Sequence, residues 1–215
     1  MESDPRKYEH IVVKETDTHN IVLSYLVHNC FKDSVESFIA STGMEQPASC
    51  IEDMDRRKGI INLVLDGYSL KAIELTEQLA PDLFQKNKDL HFDLLGLHYV
   101  KLVCHRKTDE AVEFAQKVLT PFGMMESFLE KLEDFMALLA YEEPEKSPMF
   151  HLVSLDYRQQ TADNLNQAIL AHASLPSRSS LERLIQQTVV VGQFLNHEQS
   201  KDGHPLLSLK DFIKI

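Results

Sequence analysis

The chain has no tryptophan, and only seven glycines and three cysteines among its 215 residues. Seven scattered glycines leave no glycine-rich loop to cradle a phosphate, and no P-loop, G-x-S-x-G, H-E-x-x-H or EF-hand pattern occurs. Cys30, Cys50 and Cys104 are odd in number, and none is spaced as a metal knuckle or a redox pair, so no disulfide framework is expected. No run approaches the ~18 consecutive apolar residues of a membrane-crossing helix, so no membrane insertion is expected. The opening MESDPRKYEH is charged and lacks the apolar stretch of a signal peptide. Together these absences point to the cytoplasm and nucleus. Positive charge is also short: 22 Lys and Arg face 33 Asp and Glu, a net −11. Such a chain repels a phosphate backbone, and no nucleic-acid partner is expected.

What is present is apolar spacing of helical period, in a chain that is 43% hydrophobic and long enough for one or two domains. Residues 1–16 read as a flexible charged segment. Asp17 or Thr18 caps a helix carrying Ile21, Val22, Tyr25 and Leu26. A second short helix carries Val35, Phe38 and Ile39 and ends at Gly43; Asp33 and Glu36 have the spacing of a capping box at its start. Residues 44–53 read as a connector. Helices then follow on the stripes Ile60, Ile61, Val64, Leu65 and Leu70, Ile73, Leu79, the second stopped by Pro81. The stretch Leu90–Val103 is apolar on most faces, as a central helix is. Thr108 caps the next helix, whose inward residues are Ala111, Phe114, Ala115 and Val118.

A shift of 39 residues lays Leu63-Val64 on Leu102-Val103, Ala72-Ile73-Glu74-Leu75 on Ala111-Val112-Glu113-Phe114, and Leu79 on Val118. A period near 40 marks stacked helical hairpins. Downstream, the spacing predicts a helix over 126–142 with Phe128, Leu132, Phe135, Met136 and Leu139, a helix start at Ser147-Pro148, and a long helix over Leu155–His172. A second capping box, Ser179 with Glu182, opens a helix that turns Leu181, Leu184, Ile185, Thr188, Val191 and Leu195 inward. The tail LLSLKDFIKI is apolar enough to dock. The fold expected is all-α: antiparallel helical hairpins stacked in a solenoid-like bundle.

No constellation argues for catalysis. His91, His98 and His105 recur every seven residues, a rise of about 10.5 Å on a helix, too far to share one ion. They read as a polar seam rather than a metal ladder, and no metal or cofactor is expected. Cys104 and His105 are adjacent, so they diverge by about 100° on a helix and form no dyad. Asp55-Arg56-Arg57-Lys58 reads as the solvated first turn of its helix. Glu142, Glu143 and Glu145 form an acidic loop. The functional clue is instead a surplus. Ile21, Val22, Tyr25, Leu26, Phe31, Val35 and Phe38 lie on two short helices, and burying one such side chain contributes about 1.5–3 kcal/mol. Two copies meeting across a two-fold axis would bury them.

These residues resemble the LisH–CTLH–CRA family. Residues 17–43 resemble a LisH dimerisation motif, with Cys30 where that motif usually has glycine before its Phe. Residues 53–114 resemble a CTLH domain, through Arg57 to Leu65, Gly67, Ala72-Ile73-Glu74, Pro81-x-Leu83 and Glu110-Ala111-x-Glu113-Phe114-Ala115. Residues 115–215 resemble a CRA domain, through Leu138-Leu139-Ala140-Tyr141, Pro144, Ser147-Pro148 and Leu165-Asn166-x-Ala168-Ile169-Leu170. The resemblance implies a non-catalytic scaffold of a CTLH (GID) ubiquitin ligase, without the SPRY domain or the RING-type region of other subunits. It implies a homodimer or heterodimer through LisH, which packs near the C-terminal helices, and a second surface on CTLH with the first half of CRA. On the first surface it places Tyr25, Leu26, Phe31 and Phe38, with the helix of Leu184, Val191 and Leu195. The Leu206–Ile213 ending leans to the RanBPM-like rather than the Gid8-like branch. The alternative is a stand-alone RanBPM-like adaptor linked to the cytoskeleton or to signalling.

Overall fold

The computed structural model describes residues 12–45 and 50–199, with the side chains of 50, 51 and 195–199 outside the description. Among the described residues there are ten α-helices and no strand. They are α1 (Glu15–His28), α2 (Lys32–Thr42), α3 (Cys50–Leu65), α4 (Ser69–Leu79), α5 (Leu83–Lys86), α6 (Lys88–Cys104), α7 (Thr108–Phe114), α8 (Glu126–Ala137), α9 (Leu155–His172) and α10 (Ser180–Gln199). The chain divides into two compact units, Met1–Met54 with Arg178–Ile215, and Asp55–Ser177. In the first, α1 packs on both α2 and α10. In the second, α6 is the axle, touched by α4, α5, α7, α8 and α9.

The same device ends four helices. After α3, Gly67 takes a left-handed φ of 77°. Its N–H donates to the Val64 carbonyl at 3.0 Å, and Tyr68 N–H donates to Leu63 at 2.7 Å. This reversal satisfies carbonyls that a helix end otherwise leaves bare. After α6, Arg106 takes φ 58°; its N–H donates to the Val103 carbonyl at 2.9 Å, and Lys107 N–H donates to Leu102 at 3.0 Å. Gly67 and Arg106 are 39 residues apart, as are the acceptor pairs Leu63-Val64 and Leu102-Val103. The next helices begin alike: Ala72 N–H bonds Tyr68 at 3.1 Å and Ala111 N–H bonds Lys107 at 2.9 Å, both alanines fully buried. The repeat is therefore a repeated hairpin, α3–α4 and α6–α7. Cys30 after α1 and Ser174 after α9 make the same turn, each at φ 58°. Cys30 thus holds the conformation for which glycine is the unstrained residue.

A left-handed conformation costs a residue with a Cβ about 1–2 kcal/mol. Arg106 is exposed, so Arg106→Gly relieves that cost and removes no packing. It is expected to raise the urea midpoint by the equivalent of about 1 kcal/mol. Gly67→Arg, at the matching position, is expected to lower it by a similar amount.

Several helix starts differ from the sequence reading. α1 begins at Glu15, with Lys14 at the cap, so Asp17 and Thr18 lie inside it. The turn at Cys30 leaves only Phe31 ahead of α2; Asp33 therefore sits within the first turn, and the Asp33–Glu36 box does not form. α3 already begins at Cys50, within the expected connector. Lys107, not Thr108, caps α7, which runs on into a π turn over Ala115–Leu119. α8 stops at Ala137 and a 3₁₀ turn over Leu138–Ala140 follows; Met136 is exposed rather than inward. Ser147 starts no α-helix. It is buried, accepts from Met149 N–H at 3.1 Å, and precedes a 3₁₀ turn over Phe150–Val153, because two prolines in five residues leave too few donors for an α turn. The long helix over Leu155–His172 forms with those bounds.

The core of the second unit centres on α6, where Leu94, Gly96, Tyr99 and Val103 are among ten buried residues. Phe92 meets the rings of Phe122, Phe128 and Phe135 at centroid distances of 5.3, 5.3 and 5.8 Å. Arg57 is 1% exposed, and its Nη1 donates to Asn166 Oδ1 at 2.8 Å. It belongs to the interior, not to a solvated first turn, because it shares the helix face of Met54, Ile60 and Val64, all buried. A second polar tie joins three helices: Tyr157 Oη donates to Asp93 Oδ1 at 3.0 Å, and Lys131 pairs with the same carboxylate.

Candidate interaction surface

The first unit is built around the start of α10. The Ser179–Glu182 capping box forms in full. Glu182 N–H donates to Ser179 Oγ at 3.2 Å, and Ser179 N–H donates to Glu182 Oε2 at 2.7 Å. α1 completes it: Ser24 Oγ accepts from Ser180 N–H at 3.0 Å, and His28 Nε2 lies 3.8 Å from Glu182 Oε2. Orphan donors at the start of α10 are thus met from two helices, which fixes where α10 leaves α1.

Among the described residues α10 packs mainly on α1, and one narrow stripe of it is covered. Leu181, Val189 and Gly192 are half-buried. Leu184 is 51% exposed, Val191 44% and Phe194 63%, and Ile185, Thr188 and Val190 are also exposed. The sequence reading that turned Leu184, Ile185, Thr188 and Val191 inward is corrected here. On α1 and α2, Ile21, Val22, Tyr25, Leu26 and Phe38 are half-buried, and Phe31 is 46% exposed. Tyr25 and Phe31 meet edge to face at 6.2 Å, and His19 meets Phe38 at 5.6 Å. Val35 is fully buried in the unit's own packing. Leu195 falls outside the described side chains, and the tail LLSLKDFIKI and residues 1–11 of the charged N-terminal segment fall outside the described residues. Sequence reasoning passed over Val190 and Phe194, four apart on one face, because spacing alone does not say how many neighbours a helix has.

In the second unit the three histidines of α6 do not converge. His91 stacks on Phe84 at 4.9 Å, His98 lies edge-on to Phe114 at 4.8 Å, and His105 Nδ1 donates to the Lys101 carbonyl at 2.7 Å. Among the described residues no group of three His, Cys, Asp or Glu is placed to hold a metal ion. Burial, and then Glu145, push the Cys104 thiol up, against a smaller opposing pull from Arg158. No described helix is long and apolar enough to cross a membrane.

Burial lowers the pKa of His91, against a smaller upward pull from Glu77. Burial and then Lys101 lower that of His98, against Glu110. A histidine whose pKa falls on folding binds its proton better in the unfolded chain. Its contribution to stability is therefore complete above the ordinary value of 6.5 and is lost as pH falls through 6.5 toward the lowered folded value. Urea midpoints should drop between about pH 7.5 and 5.5, and the paired change His91→Gln and His98→Gln should flatten that slope. An unchanged slope would assign the pH dependence to other groups.

Residues 53–196 match a family model described as the CTLH/CRA C-terminal to LisH motif domain. The "Glucose-induced degradation protein 8 homolog" of Nematostella vectensis is 34% identical over 158 residues, covering 73% of this chain and 70% of the relative. The "GID complex subunit 8" of Schizosaccharomyces pombe is 27% identical over 184 residues, covering 80% and 76%. The "Ran-binding protein M homolog" of Arabidopsis thaliana is 28% identical over 203 residues, covering 85% of this chain but only 44% of the relative. The match to Gid8 relatives over most of the chain, at up to 34% identity, supports the Gid8-like branch and corrects the lean drawn from Leu206–Ile213, a stretch outside the described residues.

Proposed function

The chain belongs to the CTLH/CRA family, and from that premise we propose that it is a non-catalytic scaffold subunit of a CTLH/GID-type ubiquitin ligase. In this reading it holds other subunits in place and contributes no reacting group of its own. The observation that carries the reading is the set of exposed apolar side chains in the first unit, Leu184, Val191 and Phe194 on α10 and Phe31 ahead of α2, together with half-buried Tyr25, Leu26 and Phe38. Exposed apolar side chains in one patch mark a surface made to be covered. The occupant is a second copy or a related LisH-bearing subunit, seated on α1, α2 and α10. The family description, which sets its domain C-terminal to a LisH motif, supports that assignment for the residues ahead of 53.

Light scattering on the purified chain should report a dimer, or a one-to-one complex with a partner subunit. Leu184→Arg places an unpaired charge in the seam and is expected to weaken association by roughly tenfold or more. A monomer at tens of micromolar that binds no partner subunit would sink the proposal. The match to the Ran-binding protein M relative keeps a second reading in view, a stand-alone adaptor. Co-purification with RING-bearing subunits favours the scaffold; their absence from an otherwise occupied complex favours the adaptor. We place the protein in the cytoplasm and nucleus, which fractionation checks.

A further inference from the structure

α6 and α7 face each other across an open groove of ≈ 510 Å³. His98, Lys101, Leu102 and His105 line it from α6, at the i, i+3, i+4, i+7 spacing of one helix face. Glu110, Glu113 and Phe114 line it from α7, and Lys117 and Val118 from the π turn that continues it. Lys107 closes the end at the turn. The floor is apolar, made of Leu102, Phe114 and Val118. Lys101 is committed to the fold: its Nζ donates to the Gly67 carbonyl at 2.9 Å and lies 4.1 Å from the Tyr68 ring centroid. Lys107 and Lys117 are not. Each is more than half exposed and paired with a glutamate of its own helical stretch, Glu110 and Glu113 respectively. Exposed pairs of this kind contribute about 0–1 kcal/mol, so their partners exchange readily.

The first hairpin supplies an internal comparison. Thirty-nine residues upstream, the positions of His98, Lys101, His105 and Lys117 hold Gly59, Asn62, Asp66 and Gln78. The floor positions hold Leu63, Leu75 and Leu79 and keep their apolar character. The turn geometry is shared, so packing of the hairpin does not demand the basic groups. They are gathered on one copy only, in a chain that is otherwise acidic at −11.

We propose that this groove docks an acidic amphipathic peptide segment of a partner protein. An apolar side chain rests on Leu102, Phe114 and Val118, and carboxylates replace Glu110 and Glu113 as the partners of Lys107 and Lys117. Glu110 and Glu113 themselves weigh against a phosphate-dense surface, because a membrane or polyphosphate would meet them as like charges, whereas a peptide can space its carboxylates around them. The inference uses none of the exposed residues of α1, α2 and α10 and goes beyond that face.

The test is fluorescence anisotropy on the full chain with two short labelled peptides, one alternating Glu with Leu and Phe, the other carrying Lys in place of every Glu. The acidic peptide is expected to bind and the basic one not. Lys107→Glu with Lys117→Glu should weaken binding by about tenfold or more. Lys71→Glu, on the matching face of the first hairpin, should leave it unchanged, which separates a local groove from general charge. Addition of the acidic peptide should also move the ring-proton resonances of His98 and His105. Binding weaker than about 1 mM, equal binding of both peptides, or indifference to the double change overturns the proposal. So does competition by inorganic phosphate or capture by phosphatidylserine vesicles that the double change abolishes, since the groove would then be a phosphate site.

Discussion

Gly96→Ala is expected to cost about 3 kcal/mol of unfolding free energy, at the upper end for overpacking a core. Gly96 lies in the middle of α6, where α8 crosses it. A Cβ added there would stand 2.6 Å from Cε2 and 2.9 Å from Cε1 of Phe135, and closer still to Cζ. Phe135 is fully buried, with Phe92 and Tyr99 at centroid distances of 5.8 and 6.4 Å, so its ring has nowhere to swing. The helix-propensity gain of alanine over glycine, about 1 kcal/mol, works in the opposite direction and does not offset an overlap of this size. Urea titration measures the loss. A second variant isolates its cause. Gly96→Ala combined with Phe135→Leu should cost less than the sum of the two single changes by about 1 kcal/mol. Strict additivity would show that the ring is not what excludes the methyl group.

Arg57→Ala is expected to cost about 3–4 kcal/mol, through the cavity left in the core and the loss of a buried hydrogen bond from a charged donor. The guanidinium is 1% exposed and holds Asn166 from α3 to α9. Truncation opens a cavity the length of the side chain and removes the guanidinium donor from the buried Asn166 oxygen. Arg57→Lys should recover only part of the loss, because an ammonium cannot reproduce the planar donor geometry. Arg57→Met, which keeps the apolar stem, should fall between Lys and Ala. If all three variants lose the same amount, packing of the stem contributes little and the hydrogen bonding of the guanidinium accounts for the effect.

Much of this architecture can be read from residue order. The bounds of α9 follow from apolar spacing between Ser154 and the turn at Ser174. The Ser179–Glu182 box is local chemistry, and it forms as its spacing predicts. The 39-residue period is visible as paired side chains, and it corresponds to paired hydrogen bonds at two helix ends. Local chemistry fails where a tertiary turn decides first. Asp33 and Glu36 have the spacing of a box, but the reversal at Cys30 starts α2 two residues too early for it. Arg57 was legible in principle, since it stands three residues from Met54 and from Ile60 on one face. Charge argued for the surface, and burial was decided by the partner at Asn166, 109 residues away. The exposure of the apolar face of α10 is the least legible of all. An amphipathic pattern says that a stripe is apolar; only the count of neighbouring helices says whether the chain covers that stripe itself.

The first compact unit draws on both ends of the chain, and this has a consequence for how the protein is made. α1 leaves the ribosome early, but its other packing partner, α10, follows about 150 residues later, which at about 5–20 residues per second is a delay of roughly ten seconds or more. In that interval α1 and α2, 14 and 11 residues long, have only each other, and helices that short are marginal alone. The hairpins between them have nothing to wait for and can close as they emerge. Although α1 and α2 precede the hairpins in the chain, they are therefore among the last elements to reach their final packing.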